Sequence, residues 1–271
     1  MQKISRNFLV IVEGQNTEKN ILEAVFQRYG YGVERCGRLT KCIDKSEGRG
    51  KFNFDYESLA KSTNKVFVVQ GEKNRLSDWL KDINQTNFDY SNAFRELADN
   101  VAGVFLLYDV DHNSSEVIET MFAKFNSETD MGLLLLSSPC IEVLGETVQE
   151  EFVGEHLRKY KHRLNVRLQN AQKPHVENYI INNFEELAIR YLDQNRKDFD
   201  EPNVMEHPQK IIAKINEMND RSYNGDPDVV CYRYFTTVVY VCLAYILGLA
   251  KEIDNYQIVR DFFESKIADK G

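Results

Sequence analysis

Cysteine is scarce in this chain and has no pattern. Cys36, Cys42, Cys140, Cys231 and Cys242 are odd in number and include no CxxC pair, so neither a disulfide framework nor a zinc site is indicated. Free thiols fit a reducing cytoplasm, and cytoplasmic is the expected location. Positive charge is also short. With 34 Lys and Arg against 42 Asp and Glu, the net charge is -8, which argues against simple coating of nucleic acid by a basic surface. It leaves a nuclease open, because a carboxylate cluster that binds metal is itself acidic. No ATPase motif is found: KSEGRGK at 45–51 has the wrong spacing for a Walker phosphate loop and is expected to be a flexible loop that approaches nucleic acid. A signal peptide is not expected, since MQKISRNFLVIVEG reaches a charged strand end without small residues at a cleavage site. There is no internal repeat. One long uncharged run occurs, YFTTVVYVCLAYILGLA at 234–250, bracketed by Arg233 and Lys251 and diluted by threonines and tyrosines. It is expected to be a buried core or interface helix and not a membrane span, with a strand pair as a further reading.

What is present is an ordinary soluble composition, 42% hydrophobic and 28% charged over 271 residues, long enough for a good core and an appendage. The first half alternates strand and helix patterns. FLVIVEG and GVFLLYDVDHN are too apolar to face water on either side, so they predict central strands of a parallel sheet covered on both faces by helices. Between them, Thr17 is a candidate N-cap for a helix to about Tyr29 with Ile21, Leu22, Val25 and Phe26 on one face. Residues 30–64, rich in Gly, Lys, Arg and Ser, predict an insertion or flexible loop. KVFVVQG at 65–71 predicts a strand, RLSDWLKDI and SNAFRELADN predict helices, and SSEVIETMFAKF predicts a helix capped by Ser114 or Ser115. GLLLLSS predicts a fourth strand, and the segment from Cys140 to Tyr160 a helix. Beyond about residue 160 the strand signals stop, and 175–192, 207–218, 229–250 and 253–267 predict helices. The expected organisation is a catalytic domain over 1–150 and a helical C-terminal region over 151–271.

Three acids stand at strand ends: Glu13 after the first strand, and Asp109 and Asp111 after the later one. In an open α/β sheet the ligand site lies beyond the carboxyl ends of the strands. Magnesium takes oxygen ligands and keeps several waters, so one or two carboxylates plus substrate phosphate complete its shell. A second ion would stabilise attacking and leaving oxygens in phosphoryl transfer. DxD alone is a weak signal, and strand-Glu-Gly followed by strand-DxD is a stronger one.

VEG at 12–14 with Thr17 and Glu18, LLYDVDHN at 106–113, and SSPCIEVLGE at 137–146 resemble the Toprim domain of topoisomerases, bacterial primases and overcoming-lysogenization-defect nucleases. The Pro-Cys-x-Glu turn is similar to small Toprim proteins of bacterial anti-phage and abortive-infection systems, including the RloB-like group and the Toprim effector that works beside an ABC-type ATPase. The resemblance covers about residues 7–150. It implies a Toprim, Rossmann-like sheet and a nuclease that uses Mg2+ or Mn2+. Within it, Glu13 would be a metal ligand or general base, Asp109 and Asp111 metal ligands, and Glu142 and Glu18 acids around a second ion. It further implies a charge-balancing lysine, for which Lys159, Lys161 and Lys173 are candidates. The implied partners are a DNA or RNA substrate, transfer RNA included, and an ABC-type ATPase; a homo-oligomer is compatible with it, and no membrane is involved.

Each of these positions also has a plain structural reading. Glu13, Glu18 and Glu142 could be acids favoured by helix N-termini, Asp109 and Asp111 strand-end caps, and His112 either a substrate contact or a solvated loop histidine. The basic stretch 158–173 reads equally as a phosphate-backbone contact or a solvated helix face. Besides the nuclease, two other functions stay open: a catalytically silent Toprim-like module that senses or binds a partner, and a phosphatase with Asp109 as phosphoryl acceptor.

Overall fold

The computed structural model describes residues 6–14, 16–43, 49–85, 87–110, 113–138, 140–145, 155–170, 183–193, 229–230, 235–236, 238–249 and 256–269. The chain is α/β, with a mostly parallel sheet flanked by helices. It divides into two compact units, one formed by 1–108 with 116–135 and the other by 109–115 with 136–271.

In the first unit the elements run β1 (Phe8–Val12), α1 (Thr17–Arg28), β2 (Gly32–Arg38), β3 (Lys41–Ile43), β4 (Gly50–Phe52), α2 (Tyr56–Lys61), β5 (Lys65–Gln70), α3 (Leu76–Gln85) and α4 (Tyr90–Asp99). Next come β6 (Gly103–Asp109), α5 (Ser115–Lys124), β7 (Asn126–Ser127) and β8 (Gly132–Ser138), the last residues of β6 and β8 lying past the boundary. Strand order is β8-β6-β1-β5-β2, with β7 antiparallel to β8. β1 is parallel to both neighbours, with Val12 level with Gln70 on one side and Leu107 on the other. Every residue of β1 and β6 is buried, as expected of strands covered on both faces.

The helical face predicted for α1 is buried: Ile21, Leu22, Val25 and Phe26 are all at 0% exposure. Thr17, however, is the first helical residue, and Asn16 is the cap, with no side-chain capping bond. Aromatic residues dominate the other side of the unit, where Phe52 packs with Trp79, Phe88, Tyr90 and Phe94 at centroid distances of 5.0–6.4 Å.

The stretch expected to be an insertion or loop at 30–64 instead contains β2, β3, β4 and α2. β2 pairs in parallel with β5, and β3 with β4 as a hairpin. Its sequence is polar because, among the described residues, β2 has a sheet neighbour on one side only, and all seven of its residues are partly or fully exposed. An edge strand needs no apolar run. Of the KSEGRGK stretch expected to be a flexible loop, 45–48 lie outside the described residues, and Gly50 and Lys51 belong to β4.

In the second unit, a 3-10 turn (Ile141–Gly145) follows β8, and then come β9 (Glu155–His156), α6 (Leu157–Asn170), a helix over 183–193, β10 (Val229–Val230), β11 (Phe235–Thr236), and helices Val238–Leu247 and Tyr256–Ala268. β10 pairs with β9, and β11 runs antiparallel to the end of β8, with Phe235 opposite Ser138 and Thr236 opposite Ser137. Two predicted helices are therefore corrected. The segment from Cys140 begins as a 3-10 turn, and 229–250 starts with two short strands before its helix. A continuous uncharged run does not by itself separate a strand from a helix; here it contains a short strand and a helix. The helix that does form buries Val239, Cys242, Leu243 and Ile246, one face at helical spacing. Among the described residues no helix is long and apolar enough to cross a membrane. The segments 175–182 and 207–218, expected to be helical, lie outside the described residues.

Candidate metal centre

The second unit contains a group of side chains built from three successive pieces of chain. β6 delivers Asp109, which is 7% exposed. The chain turns directly after it: the Val110 amide donates to the Ser137 carbonyl at 2.9 Å, and Asn113 returns its amide to the Val110 carbonyl at 3.0 Å and its side-chain Nδ2 to the same oxygen at 3.1 Å. Asparagine suits such a turn because its short amide satisfies backbone carbonyls that regular structure no longer serves.

The second piece is the 3-10 turn. The Ile141 amide donates to Asp109 Oδ1 at 2.8 Å, so a backbone donor at the start of the turn is taken by a side-chain acceptor, as at a helix N-terminus. This places Cys140 (0% exposed) and Glu142 (8% exposed) beside Asp109. One ligand atom from each of Asp109, Cys140 and Glu142 lies within 4.8 Å of the other two.

The third piece is α6. Lys161 donates to Asp109 Oδ2 at 3.0 Å and Asn165 Nδ2 donates to Glu142 Oε1 at 3.1 Å. The two residues are four apart, so one helix face serves both acids, while the adjoining row, Tyr160 and Leu164, is fully buried. The helix over 183–193 adds a strut, with Tyr191 donating its hydroxyl to the Val143 carbonyl at 3.4 Å.

The electrostatics are unbalanced. Two ionised carboxylates no more than 4.8 Å apart repel by roughly 3 kcal/mol at an effective dielectric near 20. Lys161 offsets part of this at Asp109. Among the described residues Glu142 Oε2 is buried with no hydrogen-bond partner, a condition that costs about 1–3 kcal/mol. Burial, and then the Glu142 and Asp109 charges, push the Cys140 thiol well above its ordinary value, against the pull of Lys161, and a thiol-to-carboxylate contact with Glu142 adds to the rise. The residues present fit a divalent cation, since an ion here would reach two carboxylates and supply the charge that Glu142 Oε2 lacks. Oxygen donors of this kind suit Mg2+ and Mn2+.

Of the residues singled out from sequence, Asp109, Glu142 and Lys161 are brought together. Lys159 is exposed, and Lys173, Asp111 and His112 lie outside the described residues. The basic stretch splits: Lys161 turns inward, His162 is exposed, and the Arg163 guanidinium lies 5.4 Å from the Tyr160 ring centroid.

Glu13 and Glu18 belong to the first unit. Glu13 directly follows β1, and its carbonyl accepts from Gln70 Nε2 at 3.4 Å. Glu18 is in the first turn of α1, and its carboxylate folds over Gly14; a Cβ there would stand 2.3 Å from Glu18 Oε2. Glycine thus lets the acid close over the strand end. Both acids lie near Tyr108, whose phenol is raised first by burial, then lowered by the Trp79 N–H, with Glu13 and Glu18 adding to the rise.

Two residues of the group were missed in the sequence. Cys140 has no metal-ligand spacing to another cysteine, being one of five without a pattern, although it sits in the Pro-Cys-x-Glu turn. Asn165 stands one helical turn after Lys161, a spacing that could have flagged it. Compared with protein-family models, curated proteins and solved structures, the chain matches none.

Proposed function

We infer that this protein is a metal-dependent phosphodiesterase that cuts nucleic acid, with the Asp109 and Glu142 group as its metal centre. The observation that carries the reading is the buried Glu142 Oε2, without a hydrogen-bond partner among the described residues, beside a second carboxylate within ligand distance. A bound Mg2+ or Mn2+ would supply Lewis acidity at a phosphoryl oxygen and an activated water. The chain's own residues do the rest. Asp109 and Glu142 hold the cation, the Ile141 amide fixes the Asp109 carboxylate, and Asn165 orients Glu142. Lys161, released from Asp109, places positive charge where the scissile phosphate gains negative charge. Glu13, Glu18 and Asp111 are assigned as further acids by the Toprim resemblance. The same resemblance supports DNA or RNA as substrate, a toxic role in antiviral defence, a cytoplasmic setting and an ABC-type ATPase as partner.

The Lys161–Asp109 ion pair favours a second reading, a catalytically silent Toprim-like module in which lysine replaces the metal. Plasmid and RNA cleavage in Mg2+ or Mn2+ separates the two. Wild type is expected to cut, and Asp109→Ala and Glu13→Ala to lose that activity; equal cleavage by wild type and both variants would sink the assignment.

A further inference from the structure

We propose that Cys140 is a third ligand of the Asp109 and Glu142 centre, so that the site prefers thiolate-accepting divalent ions such as Co2+ and Zn2+ over Mg2+. This rests on the metal-site reading above and adds to it a sulfur donor and a class of ion.

The geometry is that of a single ion. Metal–sulfur bonds of about 2.3 Å and metal–oxygen bonds of about 2.0–2.2 Å put sulfur and oxygen ligands no more than about 4.5 Å apart even on opposite sides of the ion. The Cys140, Asp109 and Glu142 ligand atoms lie within 4.8 Å of one another, and three such ligands spread around one ion stand about 3.4–3.8 Å apart, so an adjustment of up to about one ångström closes the set. All three residues are at least nine-tenths buried, and among the described residues Glu142 Oε2 has no hydrogen-bond partner. Cys140 and Glu142 are held on one short turn whose first amide is anchored on Asp109 itself.

The chemistry then decides the ion. Magnesium demands oxygen ligands and sheds water reluctantly, and a thiolate contributes little to it. Later first-row ions and zinc gain from a soft donor. Binding breaks the Cys140 S–H bond and forms a metal–sulfur bond, with the proton released to solvent.

The test is cobalt titration of the full chain in the absence of other metals, followed by optical absorption. Wild type is expected to show visible cobalt bands and a near-ultraviolet thiolate-to-cobalt band. Cys140→Ser should abolish the thiolate band and weaken cobalt binding by at least about tenfold, the scale on which lost metal-site contacts are felt. Cys42→Ser, on the β3–β4 hairpin, should change neither. Glu142→Gln keeps the thiol and removes an oxygen ligand; it should weaken cobalt binding to a similar degree, and it carries the test where Cys140→Ser does not fold. Visible bands that Glu142→Gln removes, with no thiolate band in wild type, would overturn the Cys140 assignment and leave the oxygen-ligand centre standing. A thiolate band that survives in Cys140→Ser also overturns it. No cobalt bound by wild type would overturn the metal centre and the cysteine together.

Discussion

Replacing Lys161 by Met removes the ammonium that sits 3.0 Å from Asp109 Oδ2 and keeps most of the aliphatic stem. The Asp109 side chain is 9% exposed and that of Lys161 25%, so the carboxylate left behind is shielded from water. Breaking a buried pair by removing one partner costs about 3–5 kcal/mol. The Ile141 amide still bonds Oδ1, which puts the expected loss at the lower end, about 3 kcal/mol, or roughly 5–10 °C in Tm for a chain of this size. The Asp109→Asn/Lys161→Met double variant removes both charges and should recover about 2 kcal/mol relative to the sum of the singles. A divalent cation should substitute for the lost ammonium. Manganese at about 100 times its Kd contributes about 2.7 kcal/mol to the Lys161→Met protein and less to wild type, where the ion competes with Lys161 for Asp109. Urea unfolding followed by circular dichroism, with and without manganese, reads all four numbers. Two results would refute the reasoning: a Lys161→Met variant within about 0.5 kcal/mol of wild type, or equal stabilisation of both proteins by manganese.

Two further outcomes are expected in the first unit. Gly71→Ala places a Cβ 2.2 Å from the Tyr108 hydroxyl and disturbs the bonds that hydroxyl makes with Trp79 Nε1 at 2.7 Å and the Lys73 carbonyl at 2.9 Å. The loss should be about 1–3 kcal/mol, partly relieved in Gly71→Ala/Tyr108→Phe, and thermal unfolding that shows no loss would contradict the packing described. Burial first, and then Glu34, push the Cys36 thiol up to about 11. The folded protein thus keeps this proton where the unfolded chain has released it, so stability falls as pH rises from about 8.5 toward 11. Cys36→Ser should flatten that part of the stability curve; an unchanged slope would show that Cys36 is not its source.

Much of the fold was legible because the central strands are uniform. β1 and β6 are continuous apolar runs, and only a strand covered on both faces tolerates that. The helical face of α1 was readable for the same reason: Ile21, Leu22, Val25 and Phe26 follow the period of the helix. β2 was not legible, since GVERCGR carries no apolar alternation and its place beside β5 depends on a partner about thirty residues away. The turn after β8 failed differently. IEVLG follows β8 as a 3-10 turn whose first amide Asp109 caps, and a capped start of this kind serves an α-helix or a 3-10 turn alike.

Residue order alone puts acids where apolar strands end, because a run such as GVFLLYD can only be interior and its first charge marks where the apolar run stops. It also placed a carboxylate after the fourth strand and a set of lysines downstream. Tertiary structure decided which of these meet. Lys161, and not Lys159, reaches Asp109 because α6 turns that face inward with Tyr160 and Leu164 beside it. Glu142 is left one oxygen short of a partner because Asn165 supplies a donor to the other. Cys140, plain in the sequence, becomes part of the centre because the turn that buries it is anchored on Asp109. Such pairings depend on distances between segments far apart in the chain, and no local pattern of residues encodes them.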